Sequence, residues 1–182
     1  ALDGAALGAV VAVAVPFIAC FLPVAGRASI SEAGARCRPG RLRNRGGNAM
    51  TATMTIAGVE VPRIGFGTLY VTRERGFGPA KPDAVALIRE AVRLGVKVFD
   101  TADSYGNGAA ESAVRDALHP YAGLLVATKG GFRHERPGQW VADGRPAHLR
   151  QALDASLKRL GVDCIDLYQL HQWDGETPVE ET

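Results

Sequence analysis

The sequence predicts an α/β fold on a parallel sheet: a (β/α)8 barrel of which about the first four β/α units are present, preceded by a short β-hairpin. Three observations carry this reading. Strand-like and helix-like segments alternate four times between residues 64 and 171, and parallel neighbours need crossovers of roughly a dozen residues or more, usually helical. A doubly wound sheet fits the alternation equally well but asks for G-x-G-x-x-G opening a helix after the first strand; "GFGTLY" has two of the three glycines and no helix starts there. Ionisable residues also collect where successive strands end, the rim on which both parallel architectures build their sites.

The elements follow in order. "MTIAGVEVPRIGFGT" alternates and turns at Gly58, a hairpin leading into a strand at Ile64–Gly67. After a Gly- and Pro-rich loop, "PDAVALIREAVRLG" is a helix. Pro82 and Asp83 suit its first turn, Val85, Ile88, Ala91 and Val92 form an apolar face, and Gly95 suits the stop. "VKVFDTA" is a strand, "AAESAVRDALHPYAG" a helix closed by Pro120, and "LLVATKGG" the next strand. Residues 131–146 read as a long polar loop. "PAHLRQALDASLKRLG" is a third helix with Leu149, Leu153, Ser156, Leu157 and Leu160 on one side, and "VDCIDLYQLH" is a fourth strand.

The chain has 182 residues, 47% hydrophobic and 22% charged, ordinary for one soluble domain. Its net charge of +2 is unevenly split. Residues 1–48 hold six arginines against Asp3 and Glu32, and the remainder has 15 basic against 17 acidic residues. The basicity belongs to the N-terminal stretch and gives no nucleic-acid-binding domain. Cys20, Cys37 and Cys164 have no CxxC or Cys/His spacing, so no disulfide framework or metal site is expected and a cytoplasmic location is the simplest reading.

Residues 1–49 differ in texture: an apolar run, then an Arg-rich segment lacking periodicity. Residues 1–48 contain no Lys, Tyr, Trp, His, Gln or Thr, and Met50 and Met54 stand just before the organised sequence. The stretch reads as a disordered or mis-called extension, and residues 50–182 as the partial barrel. The alternative is a membrane segment at 5–26, which carries no charge and is long enough to span, though Pro16 and Pro23 weaken it.

The strand ends read Gly67-Thr68, Asp100 with Tyr105, Lys129 and His171. Each has an ordinary explanation alone, such as an Asx turn for Asp100 or a packing role for Tyr105. Successive units delivering ionisable groups to one rim argue for a site. A phenol with pKa near 10 is a poor proton donor at neutral pH unless tuned. A neighbouring ammonium lowers that pKa, and a carboxylate can compensate the ammonium's desolvation. A carbonyl that receives hydride at carbon needs a proton at oxygen, which such a tyrosine supplies while a histidine orients the carbonyl.

"FDTADSYG", "LLVATKGG", "IGFGT" and "IDLYQLH" resemble the aldo-keto reductase superfamily, from about residue 55 to the end. The loop "GFRHERPGQWVADGRPAHLR" is similar to bacterial members near the pyridoxal reductases. The resemblance implies a (β/α)8 fold and NADPH-dependent reduction of small aldehydes or ketones. It implies a tetrad of Asp100, Tyr105, Lys129 and His171, with Tyr105 the proton donor, and puts Gly67, Thr68, Leu69 and Asp100 beside the nicotinamide. Gln172-Trp173-Asp174 follows the histidine where relatives often have Arg-Pro-Asp, and Trp173 either lines the pocket or covers the rim. The family's phosphate-binding loops follow later strands than this sequence contains, so the isolated chain is expected to turn over little. The competing reading is a non-catalytic binding or regulatory module, or an inactive half-barrel, one form of which pairs with a second copy.

Overall fold

The computed structural model describes residues 53–72, 81–136 and 139–182. Strands β1 (Thr53–Ile56) and β2 (Val59–Pro62) pair antiparallel around Ala57-Gly58. Both turn residues have positive φ, 51° and 76°, the geometry of the tight turns whose twist matches a two-residue hairpin. Then come β3 (Phe66–Gly67), α1 (Lys81–Arg93), β4 (Val98–Asp100), α2 (Ala109–Leu118), β5 (Leu125–Gly130), β6 (Phe132–Arg136), β7 (Gln139–Ala142), α3 (Pro146–Leu160) and β8 (Leu167–Leu170). The main sheet runs β3-β4-β5-β8, every neighbouring pair parallel. Its strands lie in chain order with no reversal, the arrangement of a barrel wall; a doubly wound sheet reverses at a switch point.

The period-two alternation of the strands sorts residues onto two faces. Phe99 and Val126 point outward into the core shared with Ile88 of α1, Val114 of α2 and Leu157 of α3. Val98, Leu125, Ala127 and Leu167 point inward and pack with Ile56 and Val61 of the hairpin. The hairpin therefore closes the end where the strands begin. Further along the same inward rows stand Asp100 and Lys129, at the opposite, open end.

The helices form as the apolar spacing predicts. Pro146 occupies the first turn of α3, where a missing N–H costs nothing, and Gly161 ends it in the left-handed region at φ 72°. One element differs from the expectation: the segment 131–146, expected as a polar loop, contains the antiparallel pair β6–β7. Its alternation is dominated by charged residues, because only one face meets the rest of the molecule, so it lacks the apolar signature of a strand.

Among the described residues no helix is long and apolar enough to cross a membrane. The run at 5–26, like the whole of residues 1–49, lies outside them.

Candidate active site

Asp100 is the last residue of β4, and the chain beyond it keeps bonding to the strand next door. The Thr101 N–H donates to the Ala127 carbonyl at 2.9 Å and the Asp103 N–H to the Lys129 carbonyl at 3.1 Å. This continuation lays the turn after β4 across the end of β5, which brings Tyr105 to Lys129. The Lys129 ammonium donates to Asp100 Oδ2 at 2.6 Å, to the Thr101 carbonyl at 3.0 Å and to the Tyr105 hydroxyl at 3.3 Å. His171 is placed by the same device one strand further on, its N–H donating to the Gly130 carbonyl at 2.8 Å. Its ring meets Tyr105 edge-on, with centroids 5.5 Å apart. The four predicted residues are thus brought together.

Burial and charge contend at this rim. Tyr105 is pushed above its ordinary pKa because burial outweighs Lys129, and Asp100 adds to the rise. The ammonium lowers the phenol as the sequence argument requires, but the net direction is upward, a correction that spacing alone could not reveal. His171 falls to about 4, first through burial and then through Lys129, so the imidazole is neutral near pH 7.

Of the glycine-threonine segment, Gly67 is exposed and an added Cβ there would meet nothing. It is registered with Asp100 across the sheet, leaving an open inner surface beside that carboxylate. Leu69 is half-buried. Thr68 is fully buried, and its N–H and hydroxyl both donate to the Asp100 carbonyl, at 2.9 and 3.1 Å; its side chain braces the strand end. Trp173 is 52% exposed, its indole N–H bonded to the Thr177 carbonyl at 2.7 Å.

Three features escaped the sequence reading. Phe132 of β6 packs edge-on against His171 at 4.7 Å and at 5.8 Å from Trp140 of β7, an aromatic wall hidden inside the segment expected as a loop. Ser104, 1% exposed, is hydrogen-bonded through Oγ to His171 Nδ1 at 3.3 Å. Glu111, fully buried, takes a hydrogen bond from the Thr128 hydroxyl at 2.6 Å and an ion pair from Arg159. A glutamate in the first turn of a helix ordinarily reads as solvated, and its partners lie 17 and 48 residues away.

The family model of the Aldo/keto reductase family matches residues 63–182. An aldo-keto reductase of Schizosaccharomyces pombe, named for NADP(+), is 37% identical over 134 residues, 71% of this chain and 39% of the relative. The pyridoxine 4-dehydrogenase of Escherichia coli is 35% identical over 133 residues, 70% of this chain and 46% of the relative. The holo form of an aldo-keto reductase from Bacillus halodurans superposes with a TM-score of 0.63 at 31% identity, over 72% of this chain and 44% of that one. The chain thus spans under half the length of these relatives. Its four consecutive parallel strands are part of a (β/α)8 barrel, and the chain belongs to the aldo/keto reductase family.

Proposed function

We propose that this chain carries the proton-transfer centre of an NADPH-dependent oxidoreductase that reduces a small aldehyde or ketone to an alcohol. The observation that carries the reading is the Lys129 ammonium, held between Asp100 Oδ2 and the Tyr105 hydroxyl where the inward-facing rows of β4 and β5 end. Such a constellation has a chemical use at that place. As hydride reaches the carbonyl carbon, Tyr105 gives its proton to the carbonyl oxygen, and the phenolate left behind faces an ammonium at hydrogen-bond distance. The carboxylate of Asp100 accepts a hydrogen bond from Lys129 and keeps it aimed. A neutral His171 donates one N–H to the same oxygen, which places the carbonyl.

The residues at the end of β3 fit a nicotinamide. The open surface at Gly67 beside Asp100 admits a flat ring, Leu69 offers it an apolar edge, and Thr68 holds Asp100 in place from behind. When bound, the reduced nicotinamide supplies the hydride. The S. pombe relative's name supports the phosphorylated cofactor. The 50–182 segment is proposed as the catalytic half of the barrel.

In the protein carrying a complete barrel, Tyr105→Phe should lower carbonyl reduction about 100- to 10,000-fold, the usual worth of a general acid. NADPH binding, followed by fluorescence titration, should be unchanged. Turnover equal to wild type would remove Tyr105 from the chemistry and favour the non-catalytic reading.

A further inference from the structure

A neutral imidazole has a single N–H, and which nitrogen carries it is set by what the other nitrogen meets. In this molecule the other nitrogen meets a serine. We propose that Ser104 is a positioning residue: its hydroxyl donates to Nδ1 of His171 and holds the ring as the Nε2–H tautomer, leaving Nε2–H as the donor to the substrate carbonyl. The inference rests on the reduction reading above and adds a residue to it.

Ser104 is 1% exposed, and among the described residues His171 Nδ1 is the partner of its hydroxyl. If Nδ1 carried the proton, the serine would accept it and the serine's own hydroxyl proton would be left buried without an acceptor, an arrangement that folded proteins avoid. Donation from Ser104 satisfies both groups at once. The serine is itself fixed: its carbonyl is bonded to the Asn107 N–H at 3.3 Å and lies 3.2 Å from His134 Nε2 of β6. The imidazole plane is fixed too, between the edge contacts to Phe132 and Tyr105. Ser104 immediately precedes Tyr105, so a single turn delivers the proton donor and sets the tautomer of the second hydrogen-bond donor.

The test is nitrogen NMR of the full-length protein labelled with 15N-histidine, with His171→Gln identifying the resonances. The expected spectrum of His171 near pH 7 has a pyridine-type Nδ1 and a pyrrole-type Nε2. In Ser104→Ala the two shifts should move toward each other as the tautomers mix. kcat for carbonyl reduction should fall about tenfold, in keeping with one lost hydrogen bond, with NADPH affinity unchanged. A protonated Nδ1 in the wild type overturns the proposal, as does a Ser104→Ala protein whose His171 shifts are those of the wild type. Wild-type turnover in Tyr105→Phe would sink the reduction reading alone, because the tautomer is read independently of activity.

Discussion

Asp103 stands two residues before Tyr105 with its carboxylate turned toward a crowded interior. Burial first, and then the charge of Glu111, raise it to about 7, and its Oδ1 has no hydrogen-bond partner among the described residues. The linkage follows from the sign of that shift. The folded state holds the proton more tightly than the unfolded chain, so stability declines as pH rises from about 3.8 toward about 7. His171 acts in the opposite sense: with its folded value near 4 against 6.5, its contribution is complete above 6.5 and is lost as pH falls toward 4. Asp103→Asn removes only the first of these. Its Tm should exceed that of wild type by a margin that widens between pH 4 and pH 7 in thermal unfolding. A margin independent of pH would mean that Asp103 is not held in its protonated form. None of this was legible in "DTADSYG", because the environment of Asp103 is made by Glu111 of α2 and Arg159 of α3.

The elements are tied together by one buried pair. Glu111 in the first turn of α2 receives Arg159 from the last turn of α3 and Thr128 from β5, next to Lys129 in the chain. Arg159 also fills the space at Gly108, where a Cβ would come 2.5 Å from its Cδ. Gly108, at φ 85°, meets both the steric and the conformational demand of that helix start. Arg159→Ala would leave the Glu111 carboxylate buried without its counter-charge. Removal of one partner from a buried pair costs about 3–5 kcal/mol, and equilibrium urea unfolding should show a loss of that size. A loss below about 1 kcal/mol, the range of exposed pairs, would mean that Glu111 is compensated elsewhere. At this scale the sequence was readable where one face of an element is apolar: α1, α2 and α3 end within a few residues of their expected bounds. It was misleading where pairing and not burial makes the structure. The β6–β7 hairpin alternates Phe132-Arg133-His134 opposite Trp140-Val141-Ala142, a pattern whose polar members outweigh the aromatic residues that matter.

The whole molecule gathers residues separated by up to 104 positions, from Gly67 to His171, onto one rim because parallel strands in chain order all end on the same side. That much was legible: the alternation gave the topology, and the topology gave the rim. The balance of forces at the rim was not, since burial outweighs the Lys129 ammonium at Tyr105 only once the turn after β4 is packed against the ends of β5 and β8. Asp100, Tyr105 and Lys129 form one electrostatic unit in which the ammonium opposes the effect of burial on the phenol. The most direct measurement is an NMR titration of 13C-labelled Tyr105 in wild type and in Lys129→Met. Lys129 lowers the phenol's pKa by charge and by hydrogen bond, so the midpoint should move to higher pH in the variant. A midpoint that stays in place, or moves lower, would contradict it.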